Sequence, residues 1–189
     1  MAQKEKVYSQ VEEAEEIVKE LCKIYPDELW PVRPDNVVVL GIENKERGEK
    51  SKTLAKVIPI KGAEKAVFQI NNVPVRYIIE IYWSDWNVWC MATKEAIIFH
   101  ELLHIAPEIG KTIRHDCEDF RMMIDAMGVD WTEKGDALPR LLGGDKIKFN
   151  LDLRPSITET AEGDEIPEPP KEEKEEEEEK PKEDADDLF

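Results

Sequence analysis

The ten residues Ala96-Ile97-Ile98-Phe99-His100-Glu101-Leu102-Leu103-His104-Ile105 limit the possible folds of this chain more than any other stretch. Thr93 is a suitable N-cap, Glu95 complements the positive end of a helix dipole, and strong helix formers continue until Pro107, so the spacing predicts a helix. Ile97, Ile98, Leu102 and Leu103 supply the apolar surroundings of a buried helix. His100 and His104 lie four residues and about 400° apart on it. Both imidazoles therefore leave one face, one turn above the other, and can bind one zinc ion, with Glu101 beside them.

A catalytic zinc takes three protein ligands and keeps one position open for water. The chain has three histidines in all, and the third is His115, eleven residues beyond His104. A loop from Pro107 to Arg114, turning at Gly110, is predicted to lead into a second helix from about Asp116 to Met127 that Gly128 closes. Two antiparallel helices then bring His115 beside the first pair. Asp116 and Asp119 can accept a hydrogen bond from an imidazole N–H and fix its tautomer, or, with Glu118, serve as ligands in place of His115. Histidine-only ligation next to a helix-borne glutamate is more typical of catalysis than of a closed, cysteine-rich structural site. In such a site Glu101 is the general base for a metal-activated water. The oxyanion donor stays open among Tyr77, Tyr82, Arg76 and Arg114, which are near in sequence.

The rest of the body reads as α+β. Val11, Ala14, Val18, Leu21 and Ile24 recur at helical spacing against a charged face, which predicts an amphipathic helix over 8–25, ended by Pro26. Strands are expected at Val37–Leu40, Leu54–Ile60, Ala66–Ile70 and Val75–Trp83, with Pro59 marking its strand as an edge. The last of these is expected to offer an exposed edge on which a peptide substrate could pair. A half-buried strand is expected from Ile147 to Leu153. Trp83, Trp86 and Trp89 recur every three residues and are read as packing.

Charge divides the chain in two. Its net charge over 189 residues is −17, and residues 155–189 alone hold 16 acidic residues against 4 lysines, with five consecutive glutamates from Glu175. A segment with so few large apolar groups cannot offset the entropy of ordering, so a domain over 1–154 and a disordered acidic tail over 155–189 are expected. Neither part clusters Lys and Arg as phosphate neutralisation requires, which argues against direct nucleic-acid binding. No apolar run approaches the roughly 18 residues of a membrane helix. The charged start shows no apolar secretory core, so a cytoplasmic protein is expected. Cys22, Cys90 and Cys117 are scattered and odd in number, which reads as reduced thiols.

The segment from Tyr77 to Trp131 resembles the phage and prophage metallopeptidases, a zincin-like group related in pattern to the SprT-like proteases. Tyr77-Ile78-Ile79-Glu80-Ile81, the helix from Ala96 to His104, His115-Asp116-Cys117-Glu118-Asp119-Phe120 and Gly128-Val129-Asp130-Trp131 carry the resemblance. In the SprT-like group a third histidine follows a short loop, with a phenylalanine shortly after. His115 and Phe120 resemble that pair, although Asp116 replaces a glycine and the phenylalanine is one residue further on. Metzincins are excluded, because their third histidine falls on Gly110. The resemblance implies a small, mostly antiparallel sheet packed on an N-terminal helix and the His-Glu-x-x-His helix, a zinc cofactor and a protein or peptide substrate. The tail ending Asp186-Asp187-Leu188-Phe189 resembles the acidic tips of single-stranded-DNA-binding proteins. That likeness implies a second possibility, a metal-stabilised adaptor recruiting a replication or repair partner.

Overall fold

Two strands that alternate buried and partly buried residues, β2 (Val37–Ile42) and β4 (Tyr77–Tyr82), form the centre of the sheet and pair in parallel, Val37 opposite Tyr77 through Ile42 opposite Tyr82. The computed structural model describes residues 5–44, 53–108, 110–115, 119–144 and 146–154. β1 (Tyr8–Gln10) adds antiparallel to β2, and β3 (Ala55–Pro59) adds antiparallel to β4, giving the order β1-β2-β4-β3. Two of the three pairings are thus antiparallel. Five helices accompany this sheet among the described residues: α1 (Glu12–Ile24), α2 (Gly62–Ile70), α3 (Trp83–Val88), α4 (Met91–Leu103) and α5 (Arg121–Met127).

One face of the sheet makes the core. Val37, Val39, Val57, Tyr77, Ile79 and Ile81 meet Ala14, Ile17, Val18 and Leu21 of α1, at helical spacing, and the apolar side of α4. Each such large side chain taken out of water contributes about 1.5–3 kcal/mol. α1 carries Glu12, Glu13 and Glu15 in its first turn, where the dipole favours them, and stops before Pro26. α4 is buried along most of its length. Glu95 on it is fully enclosed, and its carboxylate accepts from Arg140 and from the backbone N–H groups of Leu141 and Leu142. That carboxylate ties the segment after residue 137 to the site-bearing helix.

Several expectations are corrected. Residues 8–10 leave the first helix to pair with β2. Residues 66–70 belong to α2, which has no buried residue. β-Branched and aromatic residues at Val67, Phe68 and Ile70 imitate a strand, but Ala63, Glu64, Lys65 and Ala66 favour a helix. α4 begins at Met91 with Cys90 as its N-cap, and Thr93 lies inside it, its hydroxyl 3.2 Å from Cys90 Sγ. Residues 147–150 take no part in the sheet, and Leu151–Leu153 form a 3-10 turn. Phe149 instead stacks on Phe99, 4.7 Å between centroids, and meets Tyr25 edge-on. The alternation there reports one buried phenylalanine beside a half-buried Ile147, not a place in the sheet. Trp86 is buried, donates to Glu13 and packs edge-on against Trp89, while Trp83 covers Gly41 so closely that a β-carbon there would sit 2.5 Å from the ring.

The edge on offer to a peptide is also different. β4 is interior, between β2 and β3, so its own edges are already paired. β3 is an edge strand, as is β1 on the far side, and β3 is the one that lines the cleft. Ile60 N–H donates to Arg76 O across the ladder. By the two-residue period of an antiparallel pair, Val57 and Pro59 then face outward, so the hydrogen that proline lacks costs no ladder bond. Cys22 and Cys90 are unpaired, partly buried thiols, and burial pushes Cys22 up to about 11. The tail, Cys117, Asp116 and Glu118 lie outside the described residues. No helix among those described is long and apolar enough to cross a membrane.

Candidate metal centre

α4 brings the first two histidines together as its geometry requires. His100 lies in the last full turn, and His104 is the C-cap residue, still helical at φ −71°, so its ring stays on the same face. The third approaches from a hairpin rather than from a helix. Ile105 and Thr112 form an antiparallel bridge, and Ile113 N–H donates to His104 O at 2.7 Å. His115 follows two residues later. The helix after it starts at Arg121, so the expected antiparallel helix pair is replaced by a hairpin and a short α5.

The three Nε2 atoms converge. His115 Nε2 stands 3.0 Å from His100 Nε2 and 3.1 Å from His104 Nε2. Ligands about 2.0–2.1 Å from a tetrahedral zinc stand roughly 3.4 Å apart, so the donor set is slightly tighter than that spacing. The partners of the opposite nitrogens decide what these atoms are. His104 Nδ1 is 2.7 Å from Ile113 O, and His100 Nδ1 is 3.0 Å from Asp119 Oδ1. A carbonyl only accepts, so His104 Nδ1 carries the hydrogen and its Nε2 presents a lone pair, and the Asp119 carboxylate beside His100 Nδ1, close but outside hydrogen-bond geometry, favours the same tautomer in His100. Burial also holds His104 neutral, down to about 4. His115 Nε2 has at most one hydrogen to offer two such lone pairs. A divalent cation satisfies all three nitrogens at once, and imidazole is a suitable donor for zinc.

Surrounding groups fix this arrangement. Burial pushes the Asp119 carboxyl up, but His100 beside it, with donors from Trp131 Nε1 at 2.7 Å and Phe120 N–H, outweighs that and holds the acid at about 2. Asp119 therefore stays an anion against His100. Phe120, fully buried, lies under all three imidazoles with centroids 4.7–5.2 Å away. Trp131 tilts over His100 at 5.6 Å. Glu101 points to β3, where its Oε2 accepts from Val57 N–H at 2.8 Å. Burial raises its pKa, and the nearby His100 and the Val57 amide pull it only part of the way back.

These groups line a cleft of about 550 Å³ whose walls are β3 on one side and the three histidines, Thr112, Trp131 and Thr132 on the other. His100, Glu101, His104, His115 and Asp119 are thus gathered at one cleft. None of Tyr77, Tyr82, Arg76 or Arg114 lines it: Tyr77 is bonded to the hairpin and Arg76 to the carbonyls of Val73 and Val75. Sequence reasoning missed Ile113 O and Val57 N–H, which are backbone groups with no side-chain signature. It also gave no role to Trp131, because an indole donating to a carboxylate twelve residues away follows no spacing rule.

The description Putative phage metallopeptidase belongs to a family matched by residues 6–139, a span that runs from β1 past α5 and contains the three histidines, Glu101, Asp119 and Trp131. No curated protein and no solved structure matches the chain. With most of its length matched, the chain belongs to this phage metallopeptidase family, and the three imidazoles within that span could hold a metal ion.

Proposed function

We propose that the protein is a zinc-dependent peptidase with a zincin-like domain over 1–154, in which His100, His104 and His115 hold the metal and Glu101 is the general base. The observation that carries this reading is the convergence of three Nε2 atoms, with a carbonyl bonded behind the His104 ring and a carboxylate 3.0 Å behind that of His100. A zinc ion held there supplies Lewis acidity, lowering the pKa of a bound water towards about 7 and polarising a scissile carbonyl.

The chain's own residues do the remaining work. Glu101 is anchored through Oε2 to Val57 N–H, which leaves Oε1 to take a proton from the attacking water. Its raised pKa makes the protonated form easier to reach, so the same carboxyl can pass that proton to the departing amine. Asp119 keeps His100 in the tautomer that ligation needs and adds negative charge behind the ring. A protein or peptide substrate in extended form would lie along the outward edge of β3, in the cleft, with Ala55 rather than the occupied Val57 amide as its pairing partner. A cytoplasmic setting fits a chain whose described helices do not cross a membrane.

The test is Glu101→Gln. It keeps the shape and the hydrogen-bonding capacity of the side chain but cannot take the proton. Peptide hydrolysis by the zinc-loaded protein is expected to fall at least about 100-fold, in the range set by loss of a general base, with zinc content unchanged. Retained hydrolysis in the variant contradicts the assignment.

A further inference from the structure

We infer that Tyr77 is a positioning residue for the third histidine, its phenol tying the tip of the His104–His115 hairpin to the centre of the sheet and so setting how tightly the imidazoles hold a divalent cation. The inference rests on the metal site proposed above and adds to it a residue outside the cleft. Tyr77 opens β4 and is almost fully buried, at 3 % exposure. Its Oη accepts from Gly110 N–H at 2.9 Å, and the carbonyls of Lys111 at 3.3 Å and Glu108 at 3.4 Å compete for its one hydrogen. Gly110 has φ +85°, the left-handed region that favours glycine, at the turn that presents this amide.

Among the described residues, the hairpin is therefore held at both its ligand end and its tip. At the ligand end Ile113 bonds both the backbone and the ring of His104, and Ala106 N–H reaches Lys111 O across the stem at 3.3 Å. At the tip the anchor to the sheet is Tyr77. One anchor leaves the hairpin free to pivot about His104; two fix its direction. His115 is the ligand nearest this anchor in the chain: it is exposed, lies two residues beyond Ile113 on the outgoing arm of the hairpin and meets Phe120 edge-on. Tyr77 does not line the cleft, so loss of its hydroxyl cannot act through a substrate contact.

Tyr77→Phe keeps the ring that fills the core and removes the tie. Tyr25→Phe is the matched control: the Tyr25 hydroxyl donates to Leu141 O at 3.2 Å and accepts from Ile147 N–H at 3.4 Å, with no bond to the hairpin. The experiment titrates Zn²⁺ into each metal-free protein against a chromophoric chelator and records the melting temperature of the metal-free form. Both variants are expected to melt somewhat lower. Only Tyr77→Phe is expected to bind zinc more weakly, by about tenfold, the lower end of what removing a group that holds a ligand in place costs. Wild-type zinc affinity in Tyr77→Phe, equal weakening in Tyr25→Phe, or a Tyr77→Phe chain that no longer folds each overturns the inference while leaving the metal site standing. A wild-type protein that binds no zinc overturns both.

Discussion

Asp119 shows how much of this site depends on residues that would not touch a metal. It accepts from Trp131 and from the backbone of Phe120 and stands 3.0 Å from His100 Nδ1, and the balance of those neighbours against its burial keeps it charged. Asp119→Ala leaves His100 Nδ1 without that carboxylate and lets the ring turn or change tautomer. Zinc affinity measured by chelator competition is expected to fall about 10–100-fold; an unchanged affinity means His100 is oriented by Phe120 and Trp131 alone. At this scale the sequence was informative about side chains and silent about the backbone. His100, His104, His115 and Asp119 could be named from type and spacing. Ile113 O and Val57 N–H could not, because every residue carries a carbonyl and nearly every one an amide, and only the fold decides where each is aimed.

Elements were legible where one period dominated. α1 followed from apolar spacing, α4 from a run of strong helix formers before Pro107, β2 and β4 from runs rich in β-branched and aromatic residues, and Pro59 marked an edge strand. α2 was misread because Val67, Phe68 and Ile70 carry strand propensity while no buried face fixes the period, and residues 147–153 because a single buried phenylalanine imitates a strand's alternation. The correction at α2 has a measurable consequence. Val67 and Ile70 are 56 % and 79 % exposed, so Val67→Lys and Ile70→Lys are expected to change stability by no more than about 0.5 kcal/mol in denaturant unfolding. Ile79→Ala, at a fully buried position of central β4, is expected to cost about 2–5 kcal/mol. Comparable losses at all three positions would mean that residues 66–70 form a buried strand after all. The parallel pairing of β2 with β4 was not readable at all, since it joins segments 35 or more residues apart through β3 and α2, and no local pattern records which neighbours meet.

The whole molecule joins a sheet-and-helix core to the proposed metal centre of α4, one hairpin and the loop before α5. Among the described residues, bonds such as Tyr77 to the hairpin and Val57 to Glu101 connect those parts, and a bound ion would add a cross-link that the metal-free chain lacks. Zinc at 100 times its dissociation constant is expected to add about 2.7 kcal/mol to unfolding stability, seen as a higher melting temperature that a chelator reverses. A melting temperature indifferent to zinc and chelator contradicts ligation by the folded state. The central claim is that the rings at 100, 104 and 115 share one cation, and the direct measurement is metal content by elemental analysis of protein purified without added metal, wild type beside His115→Ala. The account predicts about one zinc per chain in the wild type and its loss in the variant. A wild type without stoichiometric metal, or a variant that retains all of it, would contradict the account.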